Sequence, residues 1–142
     1  MLKVVVIEDN TISRNILTSA LLSGGHDVVG GFNTTSAGLA SAIKLKPQLI
    51  CIDIGQTDET GMEKLDAIRT SLPKTLIFLV SGKFDSSTVE AALVRGAHGF
   101  IVKPFNTVTV LKNIRNTIIK MAKQHRQETS AQDDSADDNS AA

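Results

Sequence analysis

The sequence has 142 residues, 42% of them hydrophobic, which is enough for one compact core and too little for two. Fifteen Lys and Arg balance fifteen Asp and Glu, so no bulk field draws the chain to nucleic acid or an anionic membrane. The single Cys51 excludes a disulfide framework, and neither a signal peptide nor a bilayer-length apolar run is present, all of which fits a cytoplasmic protein.

Short β-branched runs alternate with segments of helical period. Lys3–Ile7 predicts a first strand, followed by Glu8-Asp9. A helix then places Ile12, Ile16, Ala20 and Leu21 on one face and stops at Gly24-Gly25. The run Val28–Phe32 is broken by two glycines and suits a sheet edge; it ends in Phe32-Asn33 without a chemically useful side chain. Thr34 is the expected N-cap of a second helix carrying Leu39, Ala42 and Ile43. After Pro47 comes the strand Leu49–Asp53, then a third helix with the stripe Met62, Leu65, Ile68 and Leu72, closed by Pro73. Leu76–Val80 leads to Ser81-Gly82, and Asp85 or Ser86 caps a helix with Val89, Ala92 and Leu93 inward. The last strand, Gly99–Val102, precedes Lys103-Pro104 and a helix capped by Asn106 with Leu111, Ile114, Ile118 and Met121 on its apolar face.

Five strand–helix repeats predict an α/β domain, a parallel sheet covered by helices on both faces. Near Lys123 the apolar period ends. Residues 1–127 hold fifteen bases against ten acids, while 128–142 hold five acids and no base. The expected division is a domain over 1–123 and an acidic, disordered tail over 124–142.

Ligands of an open parallel sheet bind beyond the carboxyl ends of its strands. Those ends carry Glu8, Asp9, Asp53, Ser81 and Lys103. Singly, each has an ordinary structural explanation: an acidic pair opening a helix, a turn serine, a surface lysine. Asp53 is harder to explain away, because it directly follows four apolar residues and an unpaired carboxylate there would cost a few kcal/mol. Jointly they describe chemistry. Clustered carboxylates repel unless a cation intervenes, and hard oxygen ligands suit Mg²⁺. An ammonium and a hydroxyl beside them suit a phosphoryl group, with an aspartate as nucleophile.

With these residues in place, the sequence resembles the receiver domain of two-component response regulators, in particular the single-domain CheY-like type. The resemblance covers residues 2–122 and rests on Val4–Asp9 with Arg14 following, Leu49–Asp53 with Gly61 beyond, Val80-Ser81-Gly82, and Gly96–Phe105. It implies a flavodoxin-like (βα)₅ fold with strand order 2-1-3-4-5. It implies that Asp53 accepts a phosphoryl group from a histidine kinase or a histidine phosphotransfer protein. Asp9, Asp53 and the Gly55 carbonyl would ligate Mg²⁺, with Glu8 acting directly or through water. Lys103 would pair with the phosphoryl group, Ser81 would swing towards it, Phe100 would turn inward as the aromatic switch, and the Lys103-Pro104 bond would be cis. Output would come through protein contacts of the face formed by helix four, strand five and helix five, which could also pair two copies; neither DNA binding nor membrane binding is expected. The alternative is a phosphorylation-independent scaffold that keeps only the fold.

Two departures stand out. Gln56 and Thr57 occupy the positions of the family's usual Met-Pro pair, so the loop from Ile54 to Thr60 is expected to be more mobile, with Asp58 and Glu59 adding negative charge. Lys83, two residues after Ser81, would place a second cation near the phosphoryl group and bear on the lifetime of the phosphorylated state. Elsewhere, Cys51 reads as a buried structural thiol, and His26, His98 and His125 read as loop or surface residues without zinc spacing. The basic fifth helix (Lys112, Arg115, Lys120, Lys123 and Arg126) reads as a solvated face that could dock a partner or the acidic tail.

Overall fold

The computed structural model describes residues 2–55 and 59–141, with side chains described as far as Arg126 apart from that of Glu59. The described residues form β1 (Lys3–Ile7), α1 (Thr11–Ser23), β2 (Asp27–Phe32), α2 (Ser36–Lys44), β3 (Leu49–Asp53), α3 (Glu59–Ser71), β4 (Leu76–Ser81), α4 (Ser86–Val94), β5 (Gly99–Val102) and α5 (Thr107–Ala141). All strand pairs are parallel, in the order β2-β1-β3-β4-β5, as expected. Gln56, Thr57 and Asp58, on which the expected loop mobility turns, lie outside the described residues.

The alternation of side chains along each strand builds two cores. Val5, Ile7, Ile50, Ile52, Ile77 and Leu79 face α2, α3 and α4, where the stripe Met62, Leu65, Ile68 and Leu72 is buried as read. Val4, Val6, Leu49, Cys51, Phe78, Val80 and Ile101 face α1 and α5. Every central strand is apolar on both faces because both are covered. Cys51 belongs to this packing: fully buried, its thiol is pushed up to about 12 by desolvation.

Three readings need correction. On α1, Ile12 is 71% and Ile16 49% exposed, and the buried face is Leu17, Ala20 and Leu21. The helical period had two solutions there, and packing against Val110 and Ile114 of α5 selects the second. The cap of α2 is Thr35, whose hydroxyl accepts the Gly38 N–H at 3.1 Å; Thr34 is engaged elsewhere. On α4, Leu93 is 50% exposed rather than inward, and the residues buried there are Thr88 and Ala92. His98 lies in the loop before β5, as expected, and is half-buried: its Nδ1 accepts the Ile77 N–H at 3.1 Å. The helix breaks at Gly24-Gly25 as expected, with Gly25 at φ +83°, a conformation that favours glycine. The backbone of α5 continues as helix to Ala141, where the sequence reading expects an unstructured tail. Ala, Gln and Glu there are good helix formers, whereas the four Asp and three Ser are not, and no apolar stripe runs beyond Met121. No described helix is long and apolar enough to cross a membrane.

Candidate functional site

Register decides which strand ends meet. Ile7 pairs with Ile52, so Glu8 and Asp53 leave the sheet side by side. Asp53 pairs with Val80, and Ser81 with Val102, which puts Lys103 one strand beyond. The Lys103 N–H bonds the Ser81 carbonyl at 2.9 Å, and the Lys103-Pro104 bond is cis. The lysine side chain then reaches back over β4. Its ammonium lies 3.0 Å from Glu8 Oε2 and makes a short ion pair with Asp53 Oδ2.

The remaining oxygens of this pair are also occupied. Asp53 Oδ1 accepts the Gly55 N–H at 2.6 Å, in a turn that needs Gly55 at φ +67°. Glu8, only 4% exposed, accepts the Asn10 N–H on Oε1 at 3.0 Å, while Asn10 caps α1 through the Ser13 N–H at 2.9 Å. Arg14 Nη1 donates to the Glu8 carbonyl at 2.8 Å. The buried Ser81 hydroxyl donates to the Gly55 carbonyl at 3.0 Å, with the Lys83 carbonyl also in reach at 3.2 Å. One hydrogen-bonded chain therefore joins Lys103, Asp53, Gly55 and Ser81.

The two carboxylates differ in their acidity. Burial raises the Glu8 carboxyl, and the adjacent Asp53 raises it further, against the Asn10 N–H and Lys103. Burial also works against ionised Asp53, but hydrogen bonds with Glu8, Lys103 and the Gly55 N–H outweigh it and hold Asp53 below its ordinary value. For Lys103, the two carboxylates overcome burial and raise its pKa. The result is an ionised aspartate against a protonated lysine.

Asp9 is not part of this cluster. Its Oδ1 accepts the Thr34 N–H and its Oδ2 the Thr34 hydroxyl, each at 2.7 Å. Those bonds, the hydroxyl's first, hold its carboxyl below the usual range. The end of β2, read as contributing nothing, thus supplies the residue that occupies one of the expected metal ligands. No sequence signal marked it, because a threonine before a helix is read as a cap. Phe84 was missed for a similar reason: its ring packs edge-on against Phe100 at 5.1 Å between centroids and an interplanar angle of 72°. Phe100 is half-buried and Lys83 exposed.

Among the described residues, then, Glu8, Asp53, Gly55, Ser81 and Lys103 are brought together and Asp9 is not. The oxygen donors of Glu8, Asp53 and the Gly55 carbonyl suit a hard divalent cation. Among the described residues, however, no three acidic, His or Cys side chains converge as a metal-holding group. The donor chemistry fits Mg²⁺, with Asp9 as the member that would have to leave Thr34.

Comparison with known proteins agrees with this geometry. The family model "Response regulator receiver domain" matches residues 4–115. The transcriptional regulatory protein KdpE of Staphylococcus aureus is 33% identical over 127 residues, covering 88% of this chain and 53% of KdpE. The chain therefore spans about half the length of that relative. The chemotaxis protein CheY of Listeria monocytogenes is 26% identical over 112 residues, covering 79% of this chain and 94% of CheY. Among solved structures, CheY4 of Vibrio cholerae superposes with a TM-score of 0.71 at 27% identity, covering 82% of this chain and 98% of that one.

Proposed function

Because the chain belongs to the response regulator receiver domains of two-component systems, signalling modules rather than a family of catalytic enzymes, we propose that Asp53 is a phosphoryl acceptor. The observation that carries this reading is the ionised Asp53 carboxylate held against the Lys103 ammonium at the mouth of the sheet. The donor is a phosphohistidine of a sensor kinase or a phosphotransfer protein. In the transfer, a carboxylate oxygen of Asp53 bonds to phosphorus as the bond between phosphorus and the histidine nitrogen breaks, and that nitrogen leaves with the bonding pair. Lys103 then exchanges its carboxylate partner for the phosphoryl oxygens, and the Ser81 hydroxyl turns from the Gly55 carbonyl towards them. Receiver domains generally bind Mg²⁺ at this site. Glu8, Asp9, Asp53 and the Gly55 carbonyl are the groups that would hold it, and it would neutralise phosphoryl charge.

The output face is formed by α4, β5 and α5. It leaves Leu93, Val94, Val102 and Val108 exposed at 50%, 89%, 53% and 75%, which supports an apolar protein contact there, with a target or a second copy. Movement of Ser81 would release Phe100 and alter that face. Lys83, exposed beside Ser81, bears on the lifetime of the phosphorylated state, and an unchanged self-dephosphorylation rate in Lys83→Ala would refute this. We place the receiver unit at 1–123 and treat 124–142 as an acidic appendage to it.

The test is intact mass after incubation with Mg²⁺ and acetyl phosphate. A single phosphoryl adduct is expected on wild type and none on Asp53→Asn. The withdrawal of Asp9 favours a second reading, a scaffold that ignores phosphate. Failure of wild type to form an adduct with any donor would select it.

A further inference from the structure

Glu8 and Asp53 each accept a backbone N–H, of Asn10 and of Gly55, and share Lys103. Asp9, by contrast, is exposed and takes its hydrogen bonds from one residue, with the charge of Lys64 also acting on it. Thr34 binds both of its oxygens at once, the N–H on one and the hydroxyl on the other. Thr34 itself stands in a short, well-fastened turn. Asn33 Oδ1 accepts the Thr35 hydroxyl at 2.5 Å, and that hydroxyl oxygen caps α2. The turn is therefore anchored to a helix and cannot simply follow Asp9 inward.

We infer that Thr34 is a latch on Asp9: it holds the carboxylate away from the Glu8–Asp53 pair, so a divalent cation must displace Thr34 to recruit its third acidic ligand. The inference rests on the reading of positions 8, 9 and 53 as a metal site. It makes cation affinity a property of the turn between β2 and α2, remote in sequence from the acceptor. It also gives cation uptake a mechanical consequence, because recruiting Asp9 strips the Thr34 N–H of its acceptor. A residue that merely oriented Asp9 for the metal would act with the opposite sign: its loss would weaken binding.

The experiment is calorimetric titration of the full chain with Mg²⁺, and with Mn²⁺ as a second probe, for wild type, Thr34→Val, Thr34→Ser and Asp9→Asn. Valine keeps the shape of threonine and removes the hydroxyl donor. Releasing one hydrogen bond to a carboxylate should tighten the cation Kd about threefold or more. Thr34→Ser, which keeps the hydroxyl, should match wild type, and Asp9→Asn should weaken binding about tenfold or more. In wild type, amide hydrogen exchange at Thr34 should accelerate when the cation is added. Weakened binding in Asp9→Asn combined with unchanged or weaker binding in Thr34→Val overturns the latch alone. Unchanged binding in Asp9→Asn, or no binding by wild type, overturns the latch together with the metal-site reading beneath it.

Discussion

Lys103 separates two carboxylates that the register of β1 and β3 forces together. Its ammonium is the positive charge described beside Glu8 Oε2 and Asp53 Oδ2, and all three side chains are less than one-third exposed. Removing it leaves adjoining negative groups in a partly desolvated site, where an unpaired charge is costly. Lys103→Met should therefore lower stability by about 2 kcal/mol at neutral pH. Adding Asp53→Asn should restore part of the loss, since one carboxylate then remains instead of two. Urea unfolding followed by far-ultraviolet circular dichroism suits the measurement, because the chain has no Trp or Tyr. Equal losses for Lys103→Met in the wild-type and Asp53→Asn backgrounds would show that Lys103 does not couple to Asp53. The residues of this cluster were legible because each follows an apolar strand, where a charged group needs a reason to be. Thr34 and Phe84 were not, because their roles depend on which side chain faces them across the chain.

At the scale of elements, the ends of α3 and α4 are joined by one guanidinium. Arg69 donates through Nη1 to the carbonyls of Leu72 and Pro73 at 3.0 and 2.7 Å, and through Nη2 to those of Thr75 and Gly96 at 2.9 and 2.7 Å. Four carbonyls from two loops thereby find donors, although burial works to lower the Arg69 pKa and its Nε is buried without a partner. Arg69→Met keeps the aliphatic stem and strips those carbonyls, so a loss of about 3 kcal/mol is expected in the same urea experiment. A loss below about 0.5 kcal/mol would mean that water replaces the guanidinium freely. Nothing in the sequence distinguished Arg69 from a surface arginine, because its partners are backbone groups and carry no residue type. The apolar stripe around it was plain for the converse reason: Met62, Leu65, Ile68 and Leu72 recur at a period that only a buried helix face explains.

His98 adds a pH dependence to the same junction. Burial, and then the charge of Arg69, lower its pKa from the ordinary 6.5. The unfolded chain therefore binds a proton more readily than the folded one. The corresponding stability is complete above pH 6.5 and is lost as pH falls below 6.5 towards the folded value. Protonation would also turn Nδ1 from an acceptor of the Ile77 N–H into a donor facing it. Asn at 98 offers an oxygen near the Nδ1 position and cannot titrate. His98→Asn should flatten the fall in stability below pH 6.5, leaving the share of His26, which is also lowered by burial. An unchanged slope would assign the effect elsewhere.

For the whole molecule, topology turned separate strand ends into a site. Parallel strands in the order β2-β1-β3-β4-β5 bring positions 8, 53, 81 and 103 to one edge, and this much followed from where the apolar runs stop. The same reasoning could not decide which face of α1 is buried or whether Asp9 points inward, since both depend on neighbours rather than on period. It also set the edge of the folded unit by the end of the apolar pattern, while the helix of α5 continues to Ala141. These views can be separated by deleting residues 127–142. Among the described side chains, those buried in the cores end at Ile114, with partly buried Ile118 and Met121 beyond, and residues 122–126 are exposed. Helix without burial contributes little stability of its own. A chain ending at Arg126 should therefore unfold within about 0.5 kcal/mol of wild type. Left with fifteen bases against ten acids, it should bind a cation exchanger that the neutral full chain passes through. A loss well above 1 kcal/mol would mean that the acidic segment packs on the domain, with the basic face of α5 as its nearest electrostatic partner; in that case, added salt should erase the difference between the two chains.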